Sequence, residues 1–169
     1  ITTQIKLAEM MAKSGRYKEA EDILQSIHRD SISKDLLPEY YKAYLNLYSN
    51  LSFYAKINES EIAYQEKNKL YADSLLAILN ENSEDYLAVI ENRLRDSRAM
   101  EACMEVNTKR MSMVNMGSEL YSVITFERAI NYKVMGDVQK MKKYFILSAI
   151  SDIKNSVKDN ASIAALAEV

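Results

Sequence analysis

The chain has 169 residues, 48% hydrophobic and 27% charged, with a mean hydropathy of −0.28, a balance that excludes both a disordered tail and a membrane-embedded bundle. That length suits one domain or a short run of repeats, burying roughly two-thirds of the unfolded surface. Lys and Arg number 22 against 24 Asp and Glu, a net charge of −2, so the basic excess of a nucleic-acid-binding surface is missing and no direct nucleic-acid contact is expected of this segment.

With 3 Gly, 1 Pro and no Trp beside 12 Tyr and 9 Met, the chain has too few turn residues for a many-stranded sheet, and an all-α fold is expected. Ile5, Ala8, Met11 and Ala12 share one helical face. Ser14-Gly15-Arg16 interrupts it, and Ala20, Ile23, Leu24 and Ile27 continue a second stripe, giving a first hairpin over about 2–29. Polar residues 30–33 connect to a long helix from Lys34 or Asp35 to about Lys56, which tolerates Pro38 in its first turn. Its stripe is Leu37, Tyr40, Tyr44, Leu47, Leu51 and Tyr54; after a turn at Asn58-Glu59-Ser60, the return helix carries Ile62, Ala63, Leu70, Leu75, Ile78 and Leu79 to about 80.

Ser83 is a candidate N-cap for a third pair over 83–115, with Leu87, Ile90 and Leu94 before a glycine-free turn at Asp96-Ser97 and Met100, Met104, Met111 and Val114 after it. The fourth pair, 118–158, places Tyr121, Ile124, Ala129 and Tyr132 before Gly136-Asp137 and Met141, Phe145, Ala149 and Ile153 behind it, and residues 161–169 open a further helix. The turns at Gly15, Asn58, Ser97 and Gly136 are 43, 39 and 39 residues apart. A hairpin recurring about every 40 residues, each with an apolar face it cannot bury alone, points to one stacked α-α solenoid over 1–169; an irregular bundle is the alternative.

Leu7-Ala8, Met11, Gly15, Tyr17, Ala20, Leu24 and Ile27 carry the spacing of a tetratricopeptide repeat, and Ala129, Tyr132, Gly136-Asp137, Met141 and Phe145 repeat much of it. The middle pairs depart, with Asn58 or Ser97 in place of glycine and Lys67 at a normally apolar position. The stretch from Tyr144 to Ser162 resembles the tetratricopeptide region of membrane-attached transcriptional regulators of Bacteroidetes, in which a repeat-built N-terminal sensor precedes a membrane helix and a cytoplasmic regulatory segment. The resemblance implies a right-handed TPR-like superhelix of about four hairpins, a sensor role and the periplasmic face of the inner membrane, with the membrane reached only through flanking segments. A free-standing cytosolic adaptor or a self-assembling scaffold is the alternative. The start at Ile1 without an initiator Met suggests a processed form or an excised segment.

No enzyme is expected. The single histidine, His28, reads as a surface residue near a helix end, and three scattered glycines form no phosphate-binding loop. The lone Cys103 has no partner for a disulfide or metal pair and reads as a small core residue, so neither cofactor nor metal is expected. A protein or peptide ligand is the expected partner, bound on the first helices of the pairs, and a homo-oligomer is possible because an open solenoid end exposes apolar surface. Candidate contact residues are Tyr41 and Tyr48, seven apart on the flank of the long helix, Arg93 in the cluster Arg93, Arg95 and Arg98, and Met113 at the end of a methionine-rich helix. For each, packing or a solvated face is the alternative role. Lys140, Lys142 and Lys143 form a second small basic cluster.

Overall fold

A computed structural model describes residues 1–54, 59–157 and 161–168; the expected turn centre Asn58 and the last residue, Val169, lie outside them. The fold is all-α, without a strand among the described residues, and neighbouring helices pack in pairs. The chain forms two compact units, Ile1–Glu81 and Asn82–Val169.

In the first unit, α1 (Thr2–Lys13) pairs with α2 (Tyr17–Gln25), and α3 (Leu37–Tyr54) packs on both and on α4 (Glu59–Leu76). Ala8 and Ala20, 1% and 0% exposed, let α1 and α2 approach closely around Ile5, Leu24 and Ile27. Two short 3-10 turns, Arg29–Ser31 and Lys34–Leu36, precede α3, and Pro38 occupies its first turn, where the missing N–H costs no helical bond.

In the second unit, α5 (Glu84–Asp96) pairs with α6 (Met100–Ser112), and α7 (Glu119–Met135) with α8 (Val138–Lys154); α6 also packs on α7, and the short α9 (Ala161–Ala167) on α8. Ser83 and Ser118 cap α5 and α7 by accepting from the N–H groups of Tyr86 and Tyr121. Between α7 and α8 the core is Ala129, Tyr132, Met141 and Phe145, onto which Ala165 and Leu166 of α9 also pack.

Four helix ends share one geometry. Behind α1, α5, α7 and α8 the N–H groups of Arg16, Ala99, Asp137 and Val157 reach back to the carbonyls of Met11, Leu94, Tyr132 and Asp152, closing each helix with a six-residue loop. The residue ahead of each donor is left-handed: Gly15 at φ 78°, Arg98 at 63°, Gly136 at 78° and Ser156 at 56°. Glycine enters this region freely, whereas Arg98 carries strain of about 1–2 kcal/mol. Arg98→Gly is therefore expected to stabilise the chain by about 1 kcal/mol, net of glycine's extra unfolded-state entropy, read as a higher thermal midpoint. A lower midpoint would mean that the exposed arginine side chain contributes more than its backbone strain costs.

Candidate functional site

Of the two roles the sequence leaves open for Tyr41 and Tyr48, ligand contact and packing between helices, their burial at 4% and 1% exposure fits packing. The reason is that α3 packs on α1, α2 and α4 at once, and Tyr48 meets both Glu21 of α2 and Tyr64 of α4, so its flank as well as its main stripe is covered. Tyr44 and Tyr71 stack at 4.1 Å between centroids, and Tyr48 stacks on Tyr44, Tyr64 and Tyr71. The Tyr48 hydroxyl donates to Glu21 Oε1 at 2.7 Å, and Lys67 donates to the same oxygen at 3.1 Å while its ammonium lies 4.9 Å from the Tyr48 ring centre. This explains a lysine at a normally apolar repeat position. Burial works to raise the Glu21 pKa, but the hydrogen bonds from Tyr48 and Lys67 and the nearby ammonium charges outweigh it and hold the carboxyl below its ordinary value.

Arg93, on α5, is half-buried, and Met113, just past α6, is 44% exposed. The two tyrosines belong to the first unit and Arg93 and Met113 to the second, so the four make no single cluster within either. Met113 instead joins an exposed apolar run: Met116 is 85% exposed in the connection to α7, and Leu120 and Val123 are 39% and 50% exposed on α7 itself. Ile130 and Val134 extend the α7 stripe half-buried, with Glu127 among them. Sequence reasoning passed over this stripe because α7 carries apolar residues on two sides, and Ile124, Ala129 and Tyr132 account for its buried face.

Beneath it, α5, α6 and α7 are joined by a buried ion network. Glu91, Asn107 and Asn131 are 0% exposed and Arg110 2%. Glu91 Oε1 accepts from Asn107 Nδ2 at 3.0 Å, Asn131 Nδ2 at 2.8 Å and the Arg95 guanidinium at 3.1 Å, and its Oε2 accepts from Arg110 at 2.5 Å. Arg110 also donates to Glu84 and Glu127. Burial opposes the charge of Arg110, but Glu127 and Glu91 outweigh it and raise its pKa; burial raises that of Glu127, which Arg110 offsets only in part. Cys103 Sγ lies 3.5 Å from the Glu91 carbonyl, and burial, then the Glu91 charge, push the thiol up to about 11. No group of three His, Cys, Asp or Glu among the described residues is placed to hold a metal ion.

Elsewhere on the unit, an open groove of about 580 Å³ runs over α6 and the end of α7, lined by Met100, Glu101, Met104, Glu105, Thr108 and Met135. Past Thr108, Arg128 bonds Thr108 Oγ1 at 3.0 Å, and its guanidinium lies over Tyr144 at 5.1 Å and Tyr132 at 6.0 Å. Lys140 and Lys143 lie over Tyr132 and Tyr144 at 5.2 and 5.8 Å. No described helix is long and apolar enough to cross a membrane.

The family model of the SusR N-terminal TPR domain matches residues 1–169. No curated protein and no solved structure matches the chain.

Proposed function

The chain belongs to the SusR N-terminal TPR domain family, and on that premise we propose that it is the non-catalytic, peptide-binding sensor module of a SusR-like regulator. The observation that carries this reading is the exposed apolar run of Met113, Met116, Leu120 and Val123 leading onto α7, the first helix of its hairpin. Solvent exposure of four large apolar side chains in sequence costs solubility and is retained where something is to be bound. The stripe suits an amphipathic peptide laid along α7, its apolar anchors three or four residues apart. The buried Glu91 and Arg110 network holds α5, α6 and α7 in fixed register, so the surface is formed before a ligand arrives, which lowers the ordering cost of binding. Tyr41 and Tyr48 pack the interior of the first unit, and Met113 opens the apolar run of the second.

An array of amphipathic 12-residue peptides, probed with the chain and with a Leu120→Asp/Val123→Asp variant, tests the reading. Selective binding should weaken by at least about tenfold in the variant while its circular dichroism is unchanged. Binding to no peptide, or binding indifferent to the substitutions, would overturn it.

A further inference from the structure

We propose that the methionine-lined groove over α6 is a docking site for a basic amphipathic helix of another protein. Met100, Met104 and Thr108 follow one another at four-residue spacing along α6, Glu101 and Glu105 line the groove with them, and Met135 joins from the end of α7. Met100 and Met104 are half-buried and Met135 is 50% exposed, so thioethers form an apolar surface that solvent reaches. Two carboxylates accompany them, and none of the six lining residues is basic.

Those carboxylates have no cation of their own. Glu101 and Glu105 are exposed, and neither side chain makes an ion pair or a hydrogen bond among the described residues. Lys109, one turn beyond Glu105, donates instead to Asn82 Oδ1 at 3.2 Å, and the charge of Arg98, in the turn ahead of α6, bears on Asp96. At the Thr108 end, Arg128 is held by Asn107 Oδ1 at 3.1 Å, by Thr108 Oγ1 at 3.0 Å and over the rings of Tyr132 and Tyr144, so that charge is already bound. The helix dipole favours Glu101 in the first turn of α6 but not Glu105 one turn further in, and like charges at this spacing repel each other.

The occupant follows from these features. An open groove encloses too little of a small molecule, whose binding needs most of its surface covered. Flexible thioethers adapt to the apolar side chains that a helix presents at three- and four-residue spacing. Unpaired carboxylates beside them select a helix with Lys or Arg one turn apart along its apolar face and reject an acidic one. From Met100 to Thr108 the groove is about 12 Å long, roughly two turns of a docked helix, so a dissociation constant on the order of tens of micromolar is expected. The site is separate from the Leu120 stripe of α7, and the proposal does not rest on peptide binding there.

The test is fluorescence anisotropy of three labelled model peptides of about 14 residues, titrated with the full 169-residue chain. The first has leucines at three- and four-residue spacing with lysines one turn apart beside them; the second has glutamates in place of the lysines; the third has the composition of the first in scrambled order. The first should bind, more weakly as salt is raised, and the other two at least about tenfold more weakly. Glu101→Lys/Glu105→Lys, shown by circular dichroism to be folded, should weaken the first peptide by at least about tenfold and bind the second more tightly than the parent does. Leu120→Asp/Val123→Asp should leave the first peptide's affinity unchanged. Binding of no peptide, equal binding of all three, or affinities indifferent to the charge reversal would overturn the proposal. So would loss of binding in Leu120→Asp/Val123→Asp, which would put the peptide on α7. Self-association of the parent chain that Glu101→Lys/Glu105→Lys abolishes would make a second copy the occupant, and would overturn it too.

Discussion

Arg110→Ala is expected to destabilise the second unit by about 3–5 kcal/mol, the penalty for removing one partner from a buried ion network. Arg110 is 2% exposed and neutralises three carboxylates from two helices other than its own, Glu84 and Glu91 on α5 and Glu127 on α7. Without it, Glu91 at 0% exposure keeps Arg95 as its one cation among the described residues, and Glu127, whose carboxyl burial already disfavours as an anion, loses the charge that offsets that burial. Arg110→Lys restores a positive charge but not the fork that bonds Glu84 through Nε and one terminal nitrogen and Glu91 and Glu127 through the other, and should recover less than half of the loss. Amide hydrogen exchange is the suitable readout because it resolves the second unit from the first. Protection in α5, α6 and α7 should fall by a factor of at least about a hundred in Arg110→Ala. A fall of less than about fivefold would mean that the buried carboxylates find water or other donors without cost.

The helices were legible in the sequence, and the network that locks three of them was not, for one physical reason. Apolar residues at three- and four-residue spacing announce a helix and its buried face, as Ile5, Ala8 and Ala12 do for α1. Glycine announces a left-handed reversal, as at Gly15 and Gly136, whereas the equivalent turn at Arg98 gives no signal beyond the absence of glycine. The interior of the α5, α6 and α7 contact is polar, and polar residues read as surface. Yet the spacing was there: Leu87 and Glu91 lie one turn apart on α5, and Cys103, Asn107 and Arg110 follow the same periodicity on α6. An unbroken helical stripe in which charged and amide residues replace apolar ones is the signal that finds such a network. The arginine cluster is a case of the same kind, since Arg95 is drawn inward to Glu91 and Asn131 while Arg98 makes a turn. Tyr41 and Tyr48 could not be placed from α3 alone, because whether the flank of a helix is covered depends on how many neighbours it has.

In the first unit the largest effect is expected at Tyr48, where Tyr48→Ala should cost about 3–5 kcal/mol, the range for emptying a buried aromatic site. The ring is 1% exposed and stacks with Tyr44, Tyr64 and Tyr71, so its loss leaves a cavity bounded by rings that cannot collapse into it without unstacking. Tyr48→Phe keeps the ring and removes only the 2.7 Å bond to Glu21, and should cost about 1–2 kcal/mol, the range for a hydrogen bond to a charged group. The chain has no Trp, so near-ultraviolet circular dichroism reports tyrosine packing directly, and the Tyr48→Ala signal should fall together with the denaturation midpoint. The acid limb separates the hydroxyl from the ring. Because the Glu21 carboxyl is held below its ordinary value of 4.5, its contribution is present above that pH and is lost as the pH falls through the lower value it has in the folded chain. Tyr48→Phe removes one of the bonds that hold it low, so the variant should be less stable than the parent at neutral pH, and the difference should shrink as Glu21 is protonated. A difference that stays constant down to acid pH would show that the hydroxyl acts through packing and not through the Glu21 carboxylate.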